Sequence, residues 1–219
     1  MQKKQFFLGF FILVSCINVW AKINAFDLLA AGSKTVIIPA LIALVFSQGN
    51  PSKKYIIALF FSWLGDVLLI PQGTPFFIAG IAAFWATQLL YCSLMLSQLG
   101  GTLLQQFSKS KALLPLLLVG AYLVSIIYLM FPRLGELLIP VSLYACTLSI
   151  TGFLGILLWR ETKTKKTAYL AMGCFLFMLS DSMIAFDAFY FSEGFFTYWV
   201  MITYIPAQYL ISLFLRKSE

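Results

Sequence analysis

Apolar stretches alternate with short polar ones along the whole chain. They fall at about residues 6–21, 28–47, 55–71, 76–97, 112–131, 137–159, 168–188 and 195–215. Most reach the ~20 apolar residues that an α-helix needs to cross a ~30 Å hydrocarbon core, and the first and third are somewhat short. The pattern predicts eight transmembrane helices. Turn residues separate them at Gln48-Gly49-Asn50-Pro51, Pro71-Gln72-Gly73, Gly100-Gly101, Phe131-Pro132 and Glu193-Gly194. No polar segment is long enough to fold alone, so residues 1–219 read as a single integral membrane domain, an all-α polytopic bundle. Composition agrees: 61% of residues are hydrophobic and 11% charged, whereas soluble domains are roughly 45–50% apolar.

The net charge of +7 invites a nucleic-acid partner, but its distribution argues for topology instead. With the N-terminus in the cytoplasm, Lys3, Lys4, Lys53, Lys54, Lys109, Lys111, Arg160, Lys163, Lys165, Lys166, Arg216 and Lys217 all flank the inner side. Only Lys22 and Arg133 fall in outer loops, and Lys34 lies within a helix. That asymmetry is what the positive-inside rule demands. It predicts an even number of spans with both termini cytoplasmic, and no nucleic-acid partner. Lys3-Lys4, the following apolar run and Leu13-Val14-Ser15-Cys16 also fit a lipoprotein-type signal peptide. Its removal would leave seven spans and no soluble mature domain, so a first transmembrane helix is the better reading.

Cys16, Cys92, Cys146 and Cys174 are scattered singly, with no C-x-x-C spacing, and read as small core residues. The chain has no histidine. That excludes Ser-His-Asp and Cys-His triads, histidine-ligated zinc and an imidazole proton shuttle.

Candidate chemistry centres on two acids inside apolar helices, Asp66 and Asp181, each preceded by a small residue (Gly65, Ser180). A carboxylate at bilayer depth costs about 2.5–3.5 kcal/mol on insertion scales, which marks such a residue as functional by default. Structural hydrogen bonding to neighbouring helices is the plainer alternative. In the expected topology Lys34, Asp66 and Asp181 lie ~9, ~8 and ~10 Å from the outer helix ends at 1.5 Å per residue. One layer permits one pocket. Lys34 either snorkels to the interface, pairs with an aspartate or holds an anionic headgroup. Asp187 reads as an interfacial end residue, and Glu136 and Glu193 as solvated turn residues. Gln88 with Tyr91, and Tyr204 with Gln208, are spaced i,i+3 and i,i+4, so each pair shares a helix face. They either hold helices together or line a polar cavity that orients substrate or water. Leu64-Gly65-Asp66 and Leu179-Ser180-Asp181, four helices apart, form a weak four-plus-four internal echo.

Taken in order, these residues resemble the YhhN family. The likeness rests on Lys34 with Pro39, Gly65-Asp66, the segment from Gly80 to Tyr91, Ser180-Asp181-x-x-x-Ala185, and Tyr204-x-x-Ala207-Gln208-x-Leu210-Ile211. The characterised animal members are lysoplasmalogenases. The resemblance implies hydrolysis of the vinyl ether of an alkenyl lysophospholipid, giving a fatty aldehyde and a glycerophospho-headgroup. Family members often carry histidine in the fourth helix where this chain has Gln88, so an imidazole base is missing here.

The residues suit that chemistry. Vinyl ethers cleave by protonation of the enol carbon, which gives an oxocarbenium ion that water traps. One carboxyl must deliver the proton and another must steady the cation and prime water, as the paired carboxyls of glycosidases do. Asp66 and Asp181 are the candidate pair, in either order. Lys34, Gln88, Tyr91, Tyr204 and Gln208 are the candidate substrate-binding groups. The partners expected are a lysophospholipid, water and the surrounding lipids of a bacterial plasma (inner) membrane, and no metal or organic cofactor is required.

Two rivals share the acidic signature. A proton-coupled transporter uses intramembrane acids as relays, but no glycine- or proline-interrupted helix pair marks a midplane site here. An intramembrane aspartyl protease needs Gly-x-Gly-Asp, and Trp63 stands where its first glycine belongs. Its Pro-Ala-Leu element occurs only as Pro39-Ala40-Leu41, in the second helix rather than near the C-terminus.

Overall fold

Backbone amides have no water to bond with in a hydrocarbon core, so a chain of apolar runs folds into helices that satisfy them internally. The computed structural model describes residues 2–100, 112–191 and 194–216, and every regular element among them is helical. The elements are α1 (Gln2–Ile23), α2 (Asp27–Phe46), α3 (Lys53–Leu68), α4 (Thr74–Leu99), α5 (Leu113–Leu134), a 3₁₀ turn (Gly135–Leu137), α6 (Leu138–Thr162), α7 (Lys165–Phe189) and α8 (Thr197–Leu215). Gly101, Lys109, Lys111, Glu193 and Lys217 lie outside the described residues.

Among the described residues, six helical stretches are long and apolar enough to cross a membrane, against the eight expected. The difference has two sources. α3 has 16 residues, or ~24 Å at 1.5 Å each, which falls short of a ~30 Å core. α5 and α6 form one apolar stretch, Leu113–Thr162, broken where Gly135 adopts φ 49°.

The distribution of polarity is that of an integral membrane protein. Leu28, Val124, Tyr128 and Ile139 are exposed, whereas Asn18, Ser62, Asp66, Gln88, Ser180 and Gln208 are buried. Lipid solvates the apolar exterior, and the few polar groups turn inward where partners exist.

The helices form two compact units, Met1–Leu90 with Leu215–Glu219, and Tyr91–Phe214, the division falling within α4. In the first, α1 packs on α2 and α2 on α3. Asn18 Nδ2 of α1 donates to the Ala30 carbonyl (2.8 Å) and to Ser33 Oγ (3.0 Å) of α2. α3 approaches α4 closely because Gly65 faces the Phe84 ring and Gly80 faces Leu69. In the second unit, α5, α6 and α7 pack together. α6 meets α7 through Gly152 against Met178 and Gly155 against Cys174, and Gly173 of α7 lies against Ala207 and Ile211 of α8. Small residues at these crossings let backbones approach, which is how van der Waals packing holds helices together in lipid. All four cysteines are unpaired thiols.

Candidate active site

Pro39 begins the construction of the first half of the site. It interrupts α2 and has no N–H to offer the Thr35 carbonyl, four residues earlier. Trp63 Nε1 of α3 donates to that carbonyl at 2.9 Å. This cross-helix bond clamps α3 to α2 one residue from Lys34 and three residues from Asp66. The outcome is an ion pair: Lys34 Nζ lies 3.7 Å from Asp66 Oδ1, with the side chains 14% and 3% exposed. Lys34 therefore turns to Asp66 instead of snorkelling.

Gln88 of α4 belongs to the same unit. It is fully buried, and neither its amide nitrogen nor its amide oxygen has a hydrogen-bond partner among the described residues. It sits one turn beyond Phe84, the residue against Gly65, and so on the α3-facing side of α4. The next residue back, Thr87, donates to the Ala58 carbonyl of α3 at 3.2 Å, which confirms how closely this face is engaged. Asn18 also keeps an unpartnered amide oxygen among the described residues while its nitrogen bonds α2.

In the second unit three consecutive residues of α7 face three different helices. Ser180 Oγ donates to the Val200 carbonyl of α8 at 3.3 Å. Tyr144 of α6 donates to Asp181. Ser182 Oγ shares a hydrogen bond of 2.7 Å with the Tyr122 hydroxyl of α5. At 100° per residue, a run of three small or acidic residues sweeps most of the circumference of the helix, and the flanking serines fix the rotation that aims Asp181 at α6. Asp181 is 8% exposed.

Tyr91, Gln208 and Tyr204, also in this unit, form a buried chain. The Tyr91 hydroxyl donates to Gln208 Oε1 at 2.8 Å, and Gln208 Nε2 donates to the Tyr204 hydroxyl at 3.2 Å. They join the end of α4 to α8, and Tyr204 stacks edge-on against Phe177 with centroids 5.6 Å apart. Asp187 lies apart from these groups: its carboxylate accepts from the Phe196 amide at 2.9 Å and ties the end of α7 to the segment before α8. Glu136 is exposed in the 3₁₀ turn.

Sequence reasoning missed Tyr144, Tyr122, Asn18 and the positive role of Trp63. Asn18 carried a signal, being an amide within an apolar run. Trp63 was legible only as a mismatch to a protease motif. Tyr144 carried no signal, since a tyrosine in an apolar helix is ordinary.

The model of the YhhN family matches residues 29–215, a stretch that contains Lys34, Asp66, Gln88, Tyr91, Asp181, Tyr204 and Gln208. Lysoplasmalogenase TMEM86A of Bos taurus is 30% identical over 183 residues, which cover 80% of this chain and 70% of the bovine one. Lysoplasmalogenase TMEM86A of Homo sapiens is 29% identical over 184 residues, with the same coverages. No solved structure matches.

Proposed function

Because the chain belongs to the YhhN family, we propose that it is a membrane hydrolase cleaving the vinyl-ether bond of alkenyl lysophospholipids, the activity for which its bovine and human relatives are named. The observation that carries the reading is the placement of two buried aspartates within the matched stretch, each beside a different kind of partner. Asp66 has a lysine at 3.7 Å. Asp181 has a phenol.

That difference supports a division of labour. A cation compensates an ionised carboxylate, so Asp66 takes the base role, steadying positive charge and accepting a proton from water. Asp181, bonded to a neutral hydroxyl, takes the acid role. Asp181 gives its proton to the enol β-carbon, and the electron pair of the double bond forms the new C–H bond. The ether oxygen delocalises the resulting cation. Water adds to the cationic carbon as Asp66 takes one of its protons. The hemiacetal then collapses to a fatty aldehyde and the free glycerol hydroxyl as Asp66 gives that proton to the leaving oxygen and Asp181 takes the hemiacetal's hydroxyl proton, which restores both carboxyls. One water is consumed and no electrons are exchanged.

Gln88 has a spare donor and a spare acceptor for the substrate's hydroxyl or ether oxygen. Tyr91, Tyr204 and Gln208 enter the proposal as groups that order water or the lipid's polar end, and Lys34 as a cation within reach of the phosphate. Eight crossings with both termini cytoplasmic, in a bacterial inner membrane, complete the reading.

The test is release of fatty aldehyde from an alkenyl lysophospholipid by purified protein in lipid–detergent micelles. Asp66→Asn and Asp181→Asn are each expected to lower kcat by about 10²–10⁴-fold, the usual range for general acid–base help, while the protein stays folded and membrane-inserted. A variant of either residue that turns over at the wild-type rate would sink the two-aspartate scheme. Proton-driven solute flux without lipid turnover would favour a transporter.

A further inference from the structure

Hydrogen bonds have a direction, and the buried chain of Tyr91, Gln208 and Tyr204 runs one way. Tyr91 gives its hydroxyl proton to Gln208 Oε1 at 2.8 Å, and Gln208 Nε2 donates to the Tyr204 hydroxyl oxygen at 3.2 Å. A phenol has one proton to give. Tyr204 accepts from Gln208, so its own proton is directed away from the chain. Tyr91 and Gln208 are fully buried and Tyr204 is 3% exposed. Water is therefore not the acceptor of choice, and a buried donor is costly to leave unbonded.

The packing of α7 on α8 shows where that proton points. Gly173 of α7 lies against Ala207 and Ile211 of α8, and Ser180 bonds the Val200 carbonyl. The two helices are thus antiparallel, and Gly173 marks the side of α7 that meets α8. Asp181 is ~80° round α7 from Gly173 at 100° per residue. Tyr204 and Gln208 are ~60° and ~100° round α8 from Ala207 in the same sense. In an antiparallel pair, residues displaced in the same rotational sense lie on the same flank. Met178, which faces Gly152 of α6, is ~140° round from Gly173 in that sense. The shared flank is the cleft between α8 and α6, all within the Tyr91–Phe214 unit.

Height agrees with rotation. The same contacts set Tyr204 about three residues, or ~4.5 Å, nearer the start of α7 than Asp181. Side chains lean towards the N-terminus of their own helix, so in this antiparallel pair Asp181 and Tyr204 lean towards each other. The ring contact makes the same point. Tyr204 lies edge-on to Phe177 at 5.6 Å, and Phe177 is one turn before Asp181 on the same face of α7. From the cleft's other wall, Tyr144 of α6 donates to Asp181.

We propose that Tyr204 is a positioning residue for the reaction: its hydroxyl donates to Asp181 alongside Tyr144, and the Tyr91–Gln208 chain keeps that donor turned towards the acid. The inference rests on the hydrolase reading for the part of Asp181, and it narrows the part of Tyr204 from ordering lipid or water to acting through Asp181. As Asp181 passes its proton to the enol carbon, negative charge develops on its carboxylate. Two phenol donors fixed beforehand stabilise that charge more than they stabilise the neutral carboxyl before it, which raises kcat. Tyr204 keeps its own proton throughout, and none of its covalent bonds forms or breaks.

The experiment has a spectroscopic arm and a kinetic arm, both on the full chain in lipid–detergent micelles. In the first, the infrared band of the Asp181 carboxyl is identified by its loss in Asp181→Asn. Tyr204→Phe removes one hydroxyl and is expected to move that band. Tyr91→Phe releases the far end of the chain and is expected to move it less, in the same direction; it carries the test by itself if Tyr204→Phe does not fold. In the second arm, with an alkenyl lysophospholipid, Tyr204→Phe is expected to lower kcat about tenfold to a hundredfold, the effect of losing a hydrogen bond to a charged group, with KM unchanged. In an Asp181→Asn background the same change is expected to leave the residual rate within about twofold, because a residue acting through another has nothing left to act on.

A raised KM at unchanged kcat makes Tyr204 a lipid contact and overturns the proposal. Equal losses in the two backgrounds, which a general loosening of the bundle would give, overturn it as well. A band that stays in place in folded Tyr204→Phe overturns it while wild-type turnover leaves the hydrolase reading intact. A band that moves, in protein that releases no aldehyde from any alkenyl lysolipid, upholds the contact between Tyr204 and Asp181 and overturns the hydrolase reading.

Discussion

An ammonium and a carboxylate 3.7 Å apart in the interior of an apolar chain are each far costlier alone than together, because removing one partner leaves the other's desolvation uncompensated. Lys34 and Asp66 are thus mutually dependent for their place in the interior. Gln88 is the opposite case. Its carboxamide is buried with neither atom bonded among the described residues, so it destabilises the resting protein. Replacing an unpaired polar group by an apolar one of similar shape is close to neutral or stabilising. Gln88→Leu is therefore expected to hold or raise the thermal midpoint in detergent while lowering lysolipid turnover, the signature of a residue kept for function at the expense of stability. A lowered midpoint with full turnover would make Gln88 a structural residue.

Between elements, the contact that decides the geometry is Trp63 to Thr35. Pro39 removes the N–H that would have met the Thr35 carbonyl, and the indole N–H of Trp63 takes its place at 2.9 Å. Trp63→Phe leaves that carbonyl unsatisfied and is expected to cost about 1–3 kcal/mol, seen as a fall in unfolding midpoint. Pro39→Ala restores an N–H to the helix, so Trp63→Phe combined with Pro39→Ala is expected to recover part of the loss. Simple additivity of the two changes would show that the carbonyl is not what links them. The apolar runs made the helices legible, and the expected ends lie within four residues of the observed ones. The pairing of Pro39 with Trp63 was not legible, because a tryptophan in a membrane helix has many ordinary reasons to be there.

For the molecule as a whole, the proposed mechanism requires Asp66 and Asp181 to act on one substrate molecule, and groups that do so behave as a unit. The Asp66→Asn and Asp181→Asn changes combined are then expected to lower turnover scarcely more than the worse single change, as groups acting together are non-additive. In wild type, kcat/KM is expected to follow a bell in pH. It falls on the acid side as the base is protonated and on the alkaline side as the acid is ionised. Residual activity in Asp181→Asn should lose the alkaline limb, and in Asp66→Asn the acid limb. Multiplicative losses in the double variant would break the unit apart.

Length and continuity of apolar runs are one-dimensional properties, so the chain by itself determined an all-helical membrane protein, and the rare polar outliers marked Lys34, Asp66, Gln88, Asp181 and Gln208 as residues to watch. Helices that are apolar on nearly every side have almost no amphipathic stripe to say which face meets which neighbour. Only packing decided that Lys34 pairs with Asp66, that Tyr144 bonds Asp181, and that the buried Gln88 amide and Ser149 hydroxyl find no hydrogen-bond partner among the described residues. Those outcomes depend on glycine crossings and on a proline's missing N–H, and such three-dimensional coincidences have no period for a sequence to display.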